Sequence, residues 1–370
     1  MKKLLFLIHD LGHGGAEKVL VNLVNNLDKS KFDVTVVAIF GGGVNEQFLL
    51  PHVKYHTIFK KPFPGNSHVM KLFSPKTLHQ ICVKEHYDIE VSYLEGPSAR
   101  IISGCEDKST KLVSWIHIEQ KTAQKAAAAF RSVKEAVRCY NRFSLHVGVS
   151  ETVKQDFLSV LPISVPMTVL FNTNESEKIL SLSREPVNDE IINDDSIKLV
   201  GVGKIVQNKG FDRLIRIVKR LRDEKYAVHL YLLGVGSMQT ELENYVSVNR
   251  LENNVTFLGY QTNPYKYVAN CDLFVCSSHA EGFSTAATEA LIVGTPVVTT
   301  LVSGMTEMLG ENNEWGGITE NSEEALYEGI KGLLDDPALL AHYREKAIER
   351  GKLFSTEATV TAVEEMLEGL

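Results

Sequence analysis

Apolar positions along the chain alternate between two patterns. Short unbroken apolar runs occur at 3–9 (KLLFLIH), 32–40 (FDVTVVAIF), 145–149 (LHVGV), 197–202 (IKLVGV) and 228–233 (VHLYLL). Runs of this length, rich in Val, Ile and Leu, suit strands buried on both faces. Between the first two, residues 16–27 (AEKVLVNLVNNL) place apolar side chains at 19, 20, 23, 24 and 27. That spacing is the stripe of an amphipathic helix. Strand, loop, helix, strand is the opening of a doubly wound parallel sheet.

The rest of the first half is less regular. Strands are expected at 51–57, 88–93 and 111–117, and a mobile loop at 60–68 (KKPFPGNSH). A helix is expected over 74–86, with Ser74 as cap and Pro75 in its first turn. A long helix is expected over 123–143, and another after Ser150. Residues 162–171 close this half. Residues 172–196 (NTNESEKILSLSREPVNDEIINDDS) are polar, acidic and turn-rich, as a linker would be.

From 197 a second series begins. Its helices are expected at 211–224, 237–249, 263–269, 284–293 and 322–335, and its later strands at 255–258, 272–276 and 296–300. A last helix covers 355–367. The expectation is an α/β protein: two Rossmann-like, doubly wound parallel-sheet domains, 1–171 and 197–354, facing across a cleft. Ligands of such sheets bind beyond the strand C-termini.

Composition adds limits. The chain has 370 residues, enough for two cores. No apolar run is long enough to span a bilayer. The start, MKKLLFLIHD, has too short an apolar run for a signal peptide, and Asp10 and a glycine loop stand where a cleavage site should be. It reads as a buried first strand. The five cysteines, at 82, 105, 139, 271 and 276, show no paired short spacing. Reduced thiols in a cytoplasmic protein are expected.

The net charge of −7 hides an asymmetry. Residues 1–171 hold 21 Lys and Arg against 15 Asp and Glu, while the remainder holds 18 against 31. A first half at +6 joined to a second at −13 suggests that the first half meets an anionic surface or ligand. Nucleic acid is not expected, because no arginine-rich or aromatic-interleaved stretch occurs.

Three loops could carry chemistry. Gly12-His13-Gly14-Gly15-Ala16-Glu17 joins a strand to a helix, where free backbone N–H groups attract anions. It lacks GxGxxG spacing, and a plain tight turn explains it almost as well. The loop from Gly201 to Asp212 carries Lys204 and Lys209, two cations suited to a diphosphate. The stretch 279–289 (HAEGFSTAATE) holds Glu281 and Glu289, eight residues apart, at a strand-to-helix turn. Carboxylates there can accept hydrogen bonds from vicinal sugar hydroxyls. His117 ends the strand LVSWIH; most lone histidines so placed are core or rim residues. HExxH, CxxC, GxSxG and the P-loop are all absent, so no dedicated metal site is expected.

Together these features resemble the retaining glycosyltransferases of family four, which have the two-domain GT-B architecture. The resemblance covers nearly the whole chain. Its most specific part is Glu281-Gly282-Phe283 through Glu289, which is similar to that family's E-x7-E motif. Supporting it are Gly14–Glu17, His117, VGVSE at 147–151, GKIVQNKGFDRLI at 203–215, Ser303–Glu307 and the final FSTEATV. The resemblance implies that Lys204 and Lys209 hold the donor diphosphate opposite Gly14 and Gly15. It implies that Glu281 grips the donor sugar with Gly282, Phe283, Ser284 and Thr285 nearby, and that Glu289 grips the ribose. It also implies His117 near the reacting carbon, a nucleobase near Tyr260 and Gln261, and a closing helix (355–370) that returns to the first domain. The family commonly has arginine where Lys204 stands, so a bidentate fork is lost there.

The activity implied is metal-independent transfer of a hexose or N-acetylhexosamine from a UDP-sugar. The acceptor would be a glycan or lipid-linked glycan in bacterial cell-surface polysaccharide synthesis, at the inner face of the cell membrane. Two alternatives stay open: a sugar-nucleotide epimerase of the same architecture, and a non-catalytic transferase-like partner subunit.

Overall fold

A computed structural model describes residues 1–12, 14–187 and 196–370. The chain divides into two compact units. The first comprises Met1–Asn174 with Thr356–Leu370, and the second Glu175–Ser355.

The first unit is built on a seven-stranded sheet: β1 (Lys2–Ile8), β2 (Phe32–Phe40), β3 (Lys54–Phe59), β4 (Ile89–Ser92), β5 (Lys111–Ile116), β6 (Leu145–Gly148) and β7 (Met167–Val169). Their order is β3-β2-β1-β4-β5-β6-β7, all parallel. Leu4 pairs with Val34 on one side and with Ile89 on the other. Leu4 to Ile8 are fully buried, as a central strand covered on both faces requires. The helix Thr356–Glu368 closes this unit. Lys2 Nζ donates to Leu367 O (2.9 Å), Glu364 accepts from Asp28 N (2.7 Å), and Lys31 pairs with Glu368 (2.9 Å).

The second unit repeats the plan with β8 (Ile197–Val202), β9 (Val228–Leu233), β10 (Val255–Gly259), β11 (Leu273–Cys276), β12 (Val297–Thr300) and β13 (Gly317–Thr319). The order is β10-β9-β8-β11-β12-β13, again parallel. The helix Phe211–Asp223 lays Leu214, Ile215, Val218 and Leu221 on this sheet.

Several local expectations are corrected. The strand expected at 51–57 starts later, at Lys54, because a turn from Val53 N to Leu50 O (3.0 Å) precedes it. Part of the expected loop 60–68 is helix, Asn66–Leu72, whose last carbonyls are taken by arginines distant in sequence. The long helix over 123–143 is two, Ala123–Ala126 and Val133–Tyr140. Thr122 and Ser132 each accept from the backbone three residues on and so start separate helices. Within the linker expected at 172–196, Ser176–Ser183 is a helix of the second unit, with Ile179 buried and Leu182 O accepting from Asn263. Residues 188–195 of that linker lie outside the described residues. The helices Pro97–Ile102 and Pro337–Gly351 were not anticipated.

Candidate functional site

In both sheets the strand order reverses beside the first strand, between β1 and β4 and between β8 and β11. Loops leaving adjacent strands there turn to opposite faces and open a crevice at the strand C-termini. The candidate residues cluster on these loops.

In the second unit the loop after β8 is fastened to the loop after β11. His279 N donates to Asn208 O (2.8 Å), Asn208 Nδ2 to Ala280 O (2.7 Å), and Ser277 Oγ to Lys209 O (2.9 Å). Gly210 has φ +63°, and a Cβ on it would lie 2.0 Å from Ser277 O. Only glycine lets the two backbones come this close. Beneath them lies the buried guanidinium of Arg213. Its Nε donates to Ser277 O (2.8 Å), and its two Nη atoms reach Ser278 O (2.6 Å) and Asn321 Oδ1 (2.9 Å). Thr300 Oγ1 also donates to Ser278 O (2.7 Å).

This clamp brings Lys209 and Glu281 together. Lys209 Nζ lies 2.5 Å from Glu281 Oε1, and Ser278 Oγ donates to the same oxygen at 2.5 Å. Both charges are largely shielded, and the lysine stem runs along Gly203. Lys204 is exposed on the same loop. Ser284 caps the helix Thr285–Val293 by accepting from Ala287 N (3.4 Å). Gly282 precedes Phe283, which is buried and 5.8 Å from the Phe354 ring. Glu289 is buried one turn into that helix, within reach of Tyr265 Oη (3.3 Å). Tyr260 and Gln261 follow β10, two strands from β8. Tyr260 is exposed, and Gln261 Nε2 donates to Leu258 O (2.6 Å).

In the first unit the equivalent loops carry different side chains. Gly14 caps the helix Gly15–Asn26 in extended conformation. Asp10 Oδ1 accepts from Gly12 N (2.8 Å), and Asn45 Nδ2 donates to Gly12 O. His117 is buried, and its Nε2 has no hydrogen-bond partner. Burial pulls its pKa down to about 3, so the ring is neutral. Its ring centroid lies 4.9 Å from that of Tyr93, and its backbone N–H donates to Glu95 Oε2 (3.0 Å). Glu95, after β4, sits at this switch point; burial raises its pKa.

Sequence reasoning passed over Glu95, Ser278, Arg213 and Asn208. Arg213 carried a usable signal: it is a charged residue on the apolar face of a helix that is otherwise cleanly striped. One described trio, His79, Glu90 and Cys105, has the chemistry of a metal site. A buried ion pair, His79 Nε2 to Glu90 Oε2 at 2.8 Å, already accounts for the first two.

Two family descriptions match the chain: Glycosyltransferase Family 4 over residues 13–173 and Glycosyl transferases group 1 over residues 184–352. The chain belongs to the group 1/family 4 type of glycosyltransferases. A Campylobacter jejuni relative is 28% identical over 370 residues, 96% of each chain. It is an N-acetylgalactosamine-N,N'-diacetylbacillosaminyl-diphospho-undecaprenol 4-alpha-N-acetylgalactosaminyltransferase. A capsular polysaccharide biosynthesis glycosyltransferase, CapM of Staphylococcus aureus, is 31% identical over 169 residues, 43% of each chain. Among solved structures, Anabaena HepE in complex with UDP and glucose is similar over the full length of both chains, with a TM-score of 0.77 and 20% identity. The glycosyltransferase therefore has the two-domain, Rossmann-like GT-B fold. No helix among its described residues is long and apolar enough to cross a membrane.

Proposed function

We propose that this glycosyltransferase moves a hexose or N-acetylhexosamine from a UDP-sugar to a glycan or lipid-linked glycan in bacterial cell-surface polysaccharide synthesis, with retention at the anomeric carbon. The observation that carries the reading is the Lys209–Glu281 pair at the β8/β11 switch point, 2.5 Å apart and locked between two loops. HepE's complex with UDP and glucose and the two relatives' activities support the choice of donor and product.

On this reading the second unit binds the donor and the first binds the acceptor. The diphosphate draws Lys209 away from Glu281, with Lys204 as a second cation. Glu281, released, accepts from the sugar hydroxyls, beside Gly282, Phe283, Ser284 and Thr285. Glu289 accepts from the ribose, and the nucleobase lies by Tyr260 and Gln261. The unpartnered Nε2 of neutral His117 suits a hydroxyl near the reacting carbon.

The reaction breaks the bond from the anomeric carbon to the diphosphate oxygen, which keeps the electron pair. The acceptor oxygen bonds that carbon on the same face, and its proton goes to the departing phosphate. The lysines stabilise the growing negative charge, and no metal is required. The enzyme would work in the cytoplasm, at the inner face of the cell membrane.

The test is turnover of a panel of nucleotide sugars, with and without glycan acceptors, by the wild-type chain and by Glu281→Ala. UDP-sugar consumption that Glu281→Ala lowers by about 10²-fold or more supports the reading. No turnover and no donor-induced thermal shift would favour a non-catalytic partner subunit. Configuration at C2–C5 of the recovered sugar separates transfer from epimerisation.

A further inference from the structure

From Gln47 to Lys84 the chain has six lysines, four histidines and no Asp or Glu. The same run exposes large apolar side chains: Phe48, Leu50, Phe59, Val69, Leu72 and Phe73. Leu72 is 76% exposed. Lys54, Lys76 and His79 pair with Asp33, Glu106 and Glu90 from outside the run, which leaves Lys60, Lys61 and Lys71 beside the exposed apolar side chains, a combination that matches the boundary of an anionic bilayer. A face evolved for an aqueous neighbour would be expected to intersperse both signs.

The backbone of this run is prepared for such a boundary. A helix end leaves its last carbonyls unpaired, and water normally satisfies them. Here two arginines take four in succession. Arg100 donates from Nη1 to Met70 O (2.8 Å) and from Nη2 to Phe73 O (2.8 Å). Arg131 donates from Nε to Lys71 O (2.6 Å) and from Nη2 to Leu72 O (2.8 Å). Arg100 is itself buried and held by Glu135 at 3.3 Å. Upstream, the rings of Phe59 and Phe63 meet at 5.4 Å, and Asn66 donates from its backbone N and from Nδ2 to Phe63 O. The stretch from Phe59 to Phe73 is therefore fixed to its own unit. With its carbonyls paired, the helix end can lose water without the cost of unpaired backbone groups.

We propose that Phe59–Phe73 is a docking surface for an anionic lipid bilayer. Val69, Leu72 and Phe73 enter the headgroup region, and Lys60, Lys61 and Lys71 meet lipid phosphates. This rests on the proposed function only in that a lipid-linked acceptor would be presented at such a surface.

The test is co-sedimentation of the full chain with vesicles of phosphatidylcholine alone or mixed equally with phosphatidylglycerol. The expected result is binding to the mixed vesicles at low salt, release at high salt, and little binding to phosphatidylcholine alone. Lys60→Glu with Lys61→Glu weakens binding by about 25-fold or more, at about fivefold for each lysine. Leu72→Glu weakens it by about tenfold, and its exposure means that no core is disturbed. Absence of binding at low salt, equal binding to both vesicles, or variants that bind like wild type would each overturn the proposal. Turnover of soluble nucleotide sugar is measured on the same proteins without vesicles. Lost docking with intact turnover supports the surface; intact docking without turnover removes only the transferase reading and leaves the surface standing.

Discussion

The two switch points share a topology and differ in chemistry. That after β8 and β11 holds opposite charges in contact, Lys209 against Glu281, over a buried guanidinium. That of the first unit offers glycine amides and, one strand away just after β5, a neutral buried histidine with an unused nitrogen. A diphosphate needs cations, and the second crevice has Lys209, with Lys204 exposed on the same loop. One fold thus supplies two surfaces, and the side chains on equivalent loops decide which task each suits.

If the charged crevice carries leaving-group stabilisation, Lys209→Ala should lower nucleotide-sugar turnover by about 10³-fold, with the melting temperature almost unchanged. A loss below tenfold would move the task elsewhere. Next comes the clamp beneath it. Gly210→Ala puts a Cβ 2.0 Å from Ser277 O on a backbone at φ +63°. A destabilisation of about 2–4 kcal/mol is expected, seen as a drop of about 5–10 °C in the second unit's transition.

The third contrast is acid sensitivity. Burial lowers the pKa of His117 to about 3 and of His146 to about 4, both in the first unit. Unfolded, each binds a proton near pH 6.5, so the unfolded chain holds more protons between that pH and the folded values. Stability from the neutral rings is complete above 6.5 and falls with pH, by about 2 kcal/mol for each ring at pH 5. In the second unit His279 is also lowered, by burial and then by Arg213, but it is exposed. His79 runs the other way. Burial opposes its charge, yet hydrogen bonding to Cys105 and Glu90 raises it to about 9, so its contribution is complete below 6.5 and lost as pH rises through 9. The two tryptophans report separately, Trp115 in the first unit and Trp315 in the second. With Trp315→Phe and Trp115→Phe as single-reporter variants, the acid midpoint seen by Trp115 should lie at the higher pH. The smallest effect is expected from Lys204→Arg. It restores a bidentate fork for phosphate and should lower the donor KM by about two- to fivefold with kcat little changed.

The second unit was the more legible in sequence. Its strands are unbroken apolar runs and its helices are striped, so β8 to β12 fall within a residue or two of expectation. The turn HAEGFSTAATE also announced itself, since Ser284 is a recognisable cap after a strand. Hidden from the sequence was what ties the turn down. Arg213 and Ser277 lie 64 positions apart, and a buried arginine reads like any other charge on a helix. The helix Asn66–Leu72 was missed for a similar reason: Gly65, Pro64 and Pro62 speak for a loop, and arginines at 100 and 131 decide otherwise. The break within 123–143 was missed because alanines support helix on both sides, while the competing cap at Ser132 is a matter of backbone geometry.

On the proposed reading, the second unit's charged crevice grips the nucleotide diphosphate. Calorimetric titration of UDP into wild type, Lys209→Ala and His117→Ala tests it most directly. Saturable binding to wild type, weakened by about tenfold or more in Lys209→Ala and unchanged in His117→Ala, is the expected result. Equal affinity of wild type and Lys209→Ala for UDP, or a loss confined to His117→Ala, would contradict it.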